Sequence, residues 1–192
     1  MTKGKQCRRQ TCYTLPWCWQ HLKKHAKLKI GRTRLVDPVT NQRFTFRGLF
    51  ACDPRAGDTP VFRRGDLITP YIGEQITEAQ ADAMYGDNAN VPYGMDTEDT
   101  SGNDVVIDAG SMRGVGAFAN DKHKATCVPG SRCSVNAKLW SSVGNYPDIH
   151  ALKNIYDGDE ILVSYGRAYW EGEETQHRTT PSGAYNRLEY KC

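Results

Sequence analysis

Hydrophobic residues in this chain come in short bursts rather than in long periodic runs. Phe44-Thr45-Phe46-Arg47-Gly48-Leu49-Phe50-Ala51 has strand character, as do Leu67 to Ile72, Val105 to Asp108 and Glu160 to Ser164. Each is a brief stretch rich in β-branched, aromatic or other apolar residues, the pattern expected of strands. Clusters such as Asp53-Pro54-Arg55-Ala56-Gly57-Asp58 separate them and predict turns. Only Thr77 to Tyr85 reads well as a helix. Thr77 can cap it, Glu78 and Gln80 stand in the first turn, and Gly86 ends it. Ile149 to Asn154 predicts one short helical turn. The expected architecture is mostly β, with small sheets, long loops and few short helices. No internal repeat or low-complexity tract interrupts it.

The 192 residues suffice for one domain of ordinary size and a small appendage. With 39% hydrophobic and 24% charged residues, a packed globular body is expected rather than a disordered chain. No apolar run approaches the length of a membrane span, and the basic, polar start lacks the apolar stretch of a secretory signal, so an intracellular location is expected. Charge adds a division that hydrophobicity does not show. Residues 1–34 carry ten Lys/Arg and no Asp/Glu, whereas the other 158 residues carry fifteen Lys/Arg and twenty-two Asp/Glu. A basic arm on a mildly acidic domain suggests an anionic partner such as DNA or a nucleosome.

The seven cysteines are odd in number, and three crowd the start. Cys7-x4-Cys12-x5-Cys18-x2-His21 places three thiols and an imidazole within fifteen residues. Tetrahedral zinc takes this donor set, and binding it supplies folding free energy that so short a segment cannot gain by burial. The expected ligands are therefore Cys7, Cys12, Cys18 and His21, with His25 as an alternative to His21. Crowded cysteines in an intracellular chain favour metal over a disulfide framework. On this basis residues 1–25 form a zinc-binding segment and residues 26–43 a polar, basic connector, with turn signals at Asp37-Pro38 and Thr40-Asn41.

Four blocks then occur in order. The first is Arg47-Gly48-Leu49-Phe50-Ala51 followed by Phe62-x2-Gly65-Asp66-x-Ile68-x2-Tyr71-x-Gly73-Glu74. The second is Ile107-Asp108-Ala109 with Gly116-Ala117-Phe118-Ala119-Asn120, and the third is Cys133-Ser134-Val135-Asn136-Ala137. The fourth runs from Leu152 through Gly158-Asp159-Glu160-Ile161-x-Val163-Ser164-Tyr165-Gly166 to Tyr169-Trp170. Together they resemble the SET-domain family of protein lysine methyltransferases over residues 44–170. The resemblance implies a fold of small β-sheets with a knot-like C-terminal segment. It also implies S-adenosylmethionine as methyl donor and a protein lysine as acceptor, with a histone tail and hence the nucleus or chromatin as the leading setting. Residues 171–192, with Tyr185, Leu188 and Tyr190, are expected to close the channel.

Residue by residue, the resemblance carries Arg47, Gly48 and Leu49 over to the methionine end of the cofactor, and Asn120 and Asn136 to the same region. Tyr165 becomes the first candidate for catalysis and Tyr71 the second tyrosine of the lysine channel, bordering the cofactor. Trp170 either stacks on the adenine or covers the core. The amine must reach the donor neutral and aligned, and a phenol can accept from it, donate to it and wall a narrow channel. Asp108, Glu74 and Glu160 read as structural carboxylates at strand ends and turns. The chain departs from the family pattern in three places. Phe46 stands where a glycine is usual. Asn120 is followed by Asp121-Lys122-His123 rather than His-Ser-Cys, and fifteen residues, including His123, Cys127 and Cys133, separate it from Asn136. The Cys-x-Cys-x4-Cys motif after the domain is absent. These departures keep a rival open: a non-catalytic chromatin- or nucleic-acid-binding module on the same scaffold. A methyltransferase of a non-histone lysine is a third possibility.

Overall fold

A computed structural model describes residues 18–86, 91, 93–110, 112–141, 146–167 and 169–170. Within them the chain folds as small, mainly antiparallel sheets of two or three strands, with a few short helices. The main core takes Leu28, Leu49, Ile107, Ile149, Ile155 and Ile161 from six separate segments, and none is more than 1% exposed. Burying each such side chain contributes about 1.5–3 kcal/mol, so many short strands and loops are held by one shared interior.

The apolar run Val105-Val106-Ile107 forms the central strand, Asp104–Asp108, of a three-stranded sheet, between Glu74–Thr77 and Gly94–Glu98. A strand covered on both faces has no reason to alternate, which explains its unbroken apolar texture. The helix Glu78–Tyr85 follows directly. The Thr77 hydroxyl accepts from the Gln80 backbone N–H while the Gln80 side chain accepts from the Thr77 N–H, and Gly86 ends the helix at φ 98°. This reciprocal cap is the one the sequence predicts.

Several expectations are corrected. Residues 26–43 do not serve as a connector. Leu28–Arg32 pairs residue for residue with Arg47–Ala51, and Leu35–Val36 pairs with Thr126–Cys127. Leu28, Leu35 and Val36 are buried. Lys27, Lys29, Arg32 and Arg34 interleave with these apolar positions, and their charge masks the strand signal. Asp148–Ala151 is a strand rather than a helical turn, lying between Ala137–Trp140 and Leu67–Pro70. Ile149 and Ala151 face inward with the two-residue period of a strand. Near the start, a helical turn at Trp19–His21 runs into a π-helical turn, Leu22–Ala26, ended by Lys27 at φ 55°. Leu22 joins the main core. Cys127 and Cys133 form a disulfide with Cα atoms 5.8 Å apart. The turn between them, closed by bonds from the Ser131 N–H and hydroxyl to the Val128 carbonyl, brings the two thiols together. The expectation of metal concerned the crowded cysteines at the start of the chain and not this pair, and a bridged pair offers no thiolate to an ion. Among the described residues, no helix is long and apolar enough to cross a membrane.

Candidate active site

Arg47, Gly48, Asn120 and Asn136, far apart in sequence, meet around Glu160. The Glu160 carboxylate is 1% exposed and accepts from the Thr33 hydroxyl at 2.6 Å, the Arg34 N–H at 2.6 Å and the Asn120 side-chain amide at 3.1 Å. Asn120 Nδ2 also donates to the Arg47 carbonyl at 3.0 Å. Gly48 is required at this spot, because a Cβ there would collide with the Glu160 carboxylate and stand 3.1 Å from Asn120 Nδ2. Both groups facing Asn120 Nδ2 can only accept, so they fix the orientation of the amide and turn Oδ1 away from the knot. Asn136 has a different task. Its Nδ2 donates to the Glu160 carbonyl at 2.8 Å and its Oδ1 accepts from the Leu162 N–H at 2.9 Å. It thereby clamps the backbone on both sides of Ile161. Leu49 is fully buried, its side chain belonging to the main core and its carbonyl accepting from the Ile161 N–H.

The tyrosines form the second part of the site. The Tyr165 hydroxyl donates to the Ala119 carbonyl at 3.0 Å, one residue from Asn120, and the Tyr71 hydroxyl donates to the Tyr93 carbonyl at 2.8 Å. Each phenol thus spends its proton on the backbone and keeps oxygen lone pairs to accept from something else. Burial pushes both phenols above their ordinary range. Tyr71, Tyr169, Asp121 and Tyr93 push Tyr165 further up, while for Tyr71 the Arg113 guanidinium opposes the rise without cancelling it. Neither serves as a phenolate base at neutral pH. These mutual effects also place Tyr71, Tyr93, Tyr165 and Tyr169 within one electrostatic neighbourhood. Arg113 lies 3.6 Å from the Tyr93 ring centroid, a cation–π contact that stiffens this wall.

Trp170 completes the group. Its ring stacks on His123 at 4.1 Å, lies parallel to Tyr165 at 6.3 Å and meets Tyr169 edge-on at 5.1 Å. Beside it opens a cleft of about 680 Å³, lined by Asp121, His123, Cys133, Ser134, Gly166 and Trp170 among others. That size suits a small-molecule ligand. The chemistry also fits the predicted cofactor: an amide oxygen oriented by the fixed acceptors that hold its NH2 suits an ammonium, and an aromatic face suits a purine.

Of the predicted metal ligands, Cys7 and Cys12 lie outside the described residues. Cys18 is buried, with its Sγ 3.4 Å from His21 Nδ1, and the His21 and His25 rings are 5.8 Å apart. Among the described residues no group of three or more His, Cys, Asp or Glu is placed to hold a metal ion.

Sequence reasoning gave Glu160 only a place in a turn and gave Asp121 no task. Asp121 accepts from the Tyr165 N–H at 2.7 Å and from the Trp170 indole at 3.0 Å. The signal for Asp121 was its position directly after Asn120. For Glu160 nothing in the sequence announced three donors arriving from distant segments.

No protein-family model matches the chain, and no curated protein does. Solved structures do. A chain of the Chaetomium thermophilum polycomb repressive complex 2 matches at 17% identity and a TM-score of 0.50, over 73% of this chain and 15% of that one. A chain of ctPRC2 in an autoinhibited conformation bound to S-adenosylmethionine matches at 15% and 0.50, over 79% and 17%. The Neurospora SET domain protein DIM-5, a histone lysine methyltransferase, is 19% identical with a TM-score of 0.46, over 73% of this chain and 52% of that one. This chain thus spans less than a fifth of the polycomb chains it matches. At these identities the likeness is one of fold.

The fold is SET-like. Within this SET-like fold, the knot around Glu160 and the tyrosine group are contiguous through Ala119, Asn120 and Asp121. The last described helical residues, Tyr169 and Trp170, lie against Tyr165.

Proposed function

We propose that this chain is an S-adenosylmethionine-dependent protein lysine N-methyltransferase. The observation that carries the reading is the pair of phenol hydroxyls locked onto backbone carbonyls, Tyr165 onto Ala119 next to Asn120 and Tyr71 onto Tyr93. When bound, the cofactor supplies a methyl group activated on a sulfonium. Asn120, Arg47 and Gly48, with Leu49 and Asn136 supporting the backbone around them, would hold its amino-acid end, and Trp170 its adenine. Tyr165 and Tyr71 present acceptor lone pairs that align an incoming amine. Their raised pKa values argue against proton abstraction by either. The lysine instead loses its proton to water, because an apolar channel and a neighbouring positive charge both disfavour the ammonium.

A histone tail is the leading substrate, since the acidic excess of residues 35–192 suits a basic peptide. The basic first 34 residues suit phosphate contacts to DNA or a nucleosome, which points to a nuclear, chromatin-associated role. Zinc at Cys7, Cys12, Cys18 and His21 is supported by the close approach of Cys18 to His21. The domain extends from residue 44 to 170, joined by the strands of residues 28–36, with residues 171–192 as the channel-closing segment.

A second reading, a non-catalytic module on the same scaffold, is favoured by Phe46. It replaces the usual glycine and stacks on Phe44 at 5.1 Å while 44% exposed. Labelled S-adenosylmethionine, incubated with the full chain and histone octamers, nucleosomes or bulk cell extract, separates the two. Label on lysine that falls in Tyr165→Phe supports the enzyme. No labelled protein and no cofactor binding would exclude it, and label on a non-histone protein would redirect the substrate.

A further inference from the structure

We propose that Asp121 is the positioning residue of this cleft, setting Tyr165 and Trp170 together through one carboxylate oxygen. Oδ2 accepts from both the Tyr165 backbone N–H at 2.7 Å and the Trp170 indole N–H at 3.0 Å. Oδ1 accepts from the His123 N–H at 2.7 Å. An ordinary turn-forming aspartate explains the bond to His123, two residues on. It does not explain Oδ2, which reaches more than forty residues along the chain to Tyr165, just beyond the strand Leu162–Val163, and to the helical turn carrying Trp170.

The position is well suited to this control. Asp121 lies in the parallel pair Asn120–Asp121 with Leu162–Val163, one residue after Asn120, and its side chain lines the cleft. His123, oriented by the Oδ1 bond, stacks on the indole that the Oδ2 bond orients. A single carboxylate therefore sets both members of an aromatic stack as well as the backbone of the candidate catalytic tyrosine. An amide cannot replace it without loss. If its oxygen faces Tyr165 and Trp170, its NH2 confronts the His123 N–H, and the opposite orientation confronts the other two donors.

The inference rests on the methyltransferase reading for its consequence, but its geometry can be tested separately. In full-length protein labelled at the tryptophan indoles, Trp170→Phe identifies the Trp170 N–H resonance. Asp121→Asn is expected to move that resonance upfield. Asp121→Ser, which can retain a turn bond to His123 but not the bonds at Oδ2, should move it likewise. Both should weaken S-adenosylmethionine binding, measured by calorimetry, about ten- to hundredfold, the range for a hydrogen bond to a charged group. Because part of Asp121's effect on the cofactor runs through Trp170, Asp121→Asn should cost clearly less in the Trp170→Phe background than in the wild type. An unmoved indole resonance, or losses that multiply in the double variant, would overturn the positioning role. A shifted resonance in a protein whose wild type binds no S-adenosylmethionine would overturn the methyltransferase reading instead.

Discussion

Two regions that meet at Asn120 treat their polar groups in opposite ways. Around Glu160 a carboxylate is sealed from water, and Thr33, Arg34 and Asn120 supply its donors. Around Tyr165 the phenol is largely buried, yet its oxygen donates to a backbone carbonyl and retains acceptor capacity, and beside it Asp121, His123 and Trp170 line an open cleft. The first region fixes geometry because a buried charge keeps its partners: the alternative is an unsatisfied donor or acceptor. The second can act on a ligand because its groups are held but not used up. The difference suggests that substitutions in the knot should read out first as stability, and substitutions in the cleft first as function.

The largest expected effect breaks the knot. Glu160→Ala orphans the Thr33 hydroxyl and the Arg34 N–H, and should lower the free energy of urea unfolding by on the order of 3 kcal/mol. An unchanged midpoint would remove Glu160 from the centre of the fold. Tyr165→Phe tests the other side. Unfolding should change by about 1 kcal/mol, the worth of one neutral hydrogen bond, while methyl transfer falls on the order of a hundredfold if the amine loses its alignment. A variant that is equally active but clearly less stable would make Tyr165 a packing residue.

Gly48→Ala sharpens the comparison by forcing a Cβ against Glu160. Overpacking of this kind costs about 2 kcal/mol. In the Glu160→Ala background the cost should shrink by at least about 1 kcal/mol, the signature of direct contact. The smallest effect is one of pH. Tyr71 and Tyr165 have pKa values raised by burial above the ordinary 10.0. The unfolded chain therefore releases their protons first, so their contribution is intact below pH 10 and is lost as the pH rises beyond it. Stability should decline there by up to about 1.4 kcal/mol per pH unit for each tyrosine. Tyr71→Phe should flatten the decline, and an equal slope in that variant would show that Tyr71 does not contribute.

Much of the design was legible from residue order. The capping box at Thr77 and Gln80, the strand at Val105 to Asp108 and the glycine stop at Gly86 each depend on neighbours a few positions away. Such features are written locally. The four ordered blocks also nominated Gly48, Asn120, Asn136, Tyr165 and Tyr71 as candidates, and the fold brings the first three to Glu160. What they left undetermined were the tasks. Asn136 emerged as a backbone clamp, and Leu49 as a core side chain.

The sequence by itself determined the strand-rich class and the capped helix, and it nominated the candidate residues of the site. The tertiary structure alone decided that residues 28–36 belong to the body, that Cys127 bridges to Cys133, and that Glu160 and Asp121 each gather donors from distant segments. The reason lies in the range of the interactions. Turns, caps and periodicity act over a few residues, whereas the worth of a buried carboxylate or a cysteine depends on which atoms arrive beside it. Those atoms come from strands that share no local pattern, and only the folded chain brings them within 3 Å.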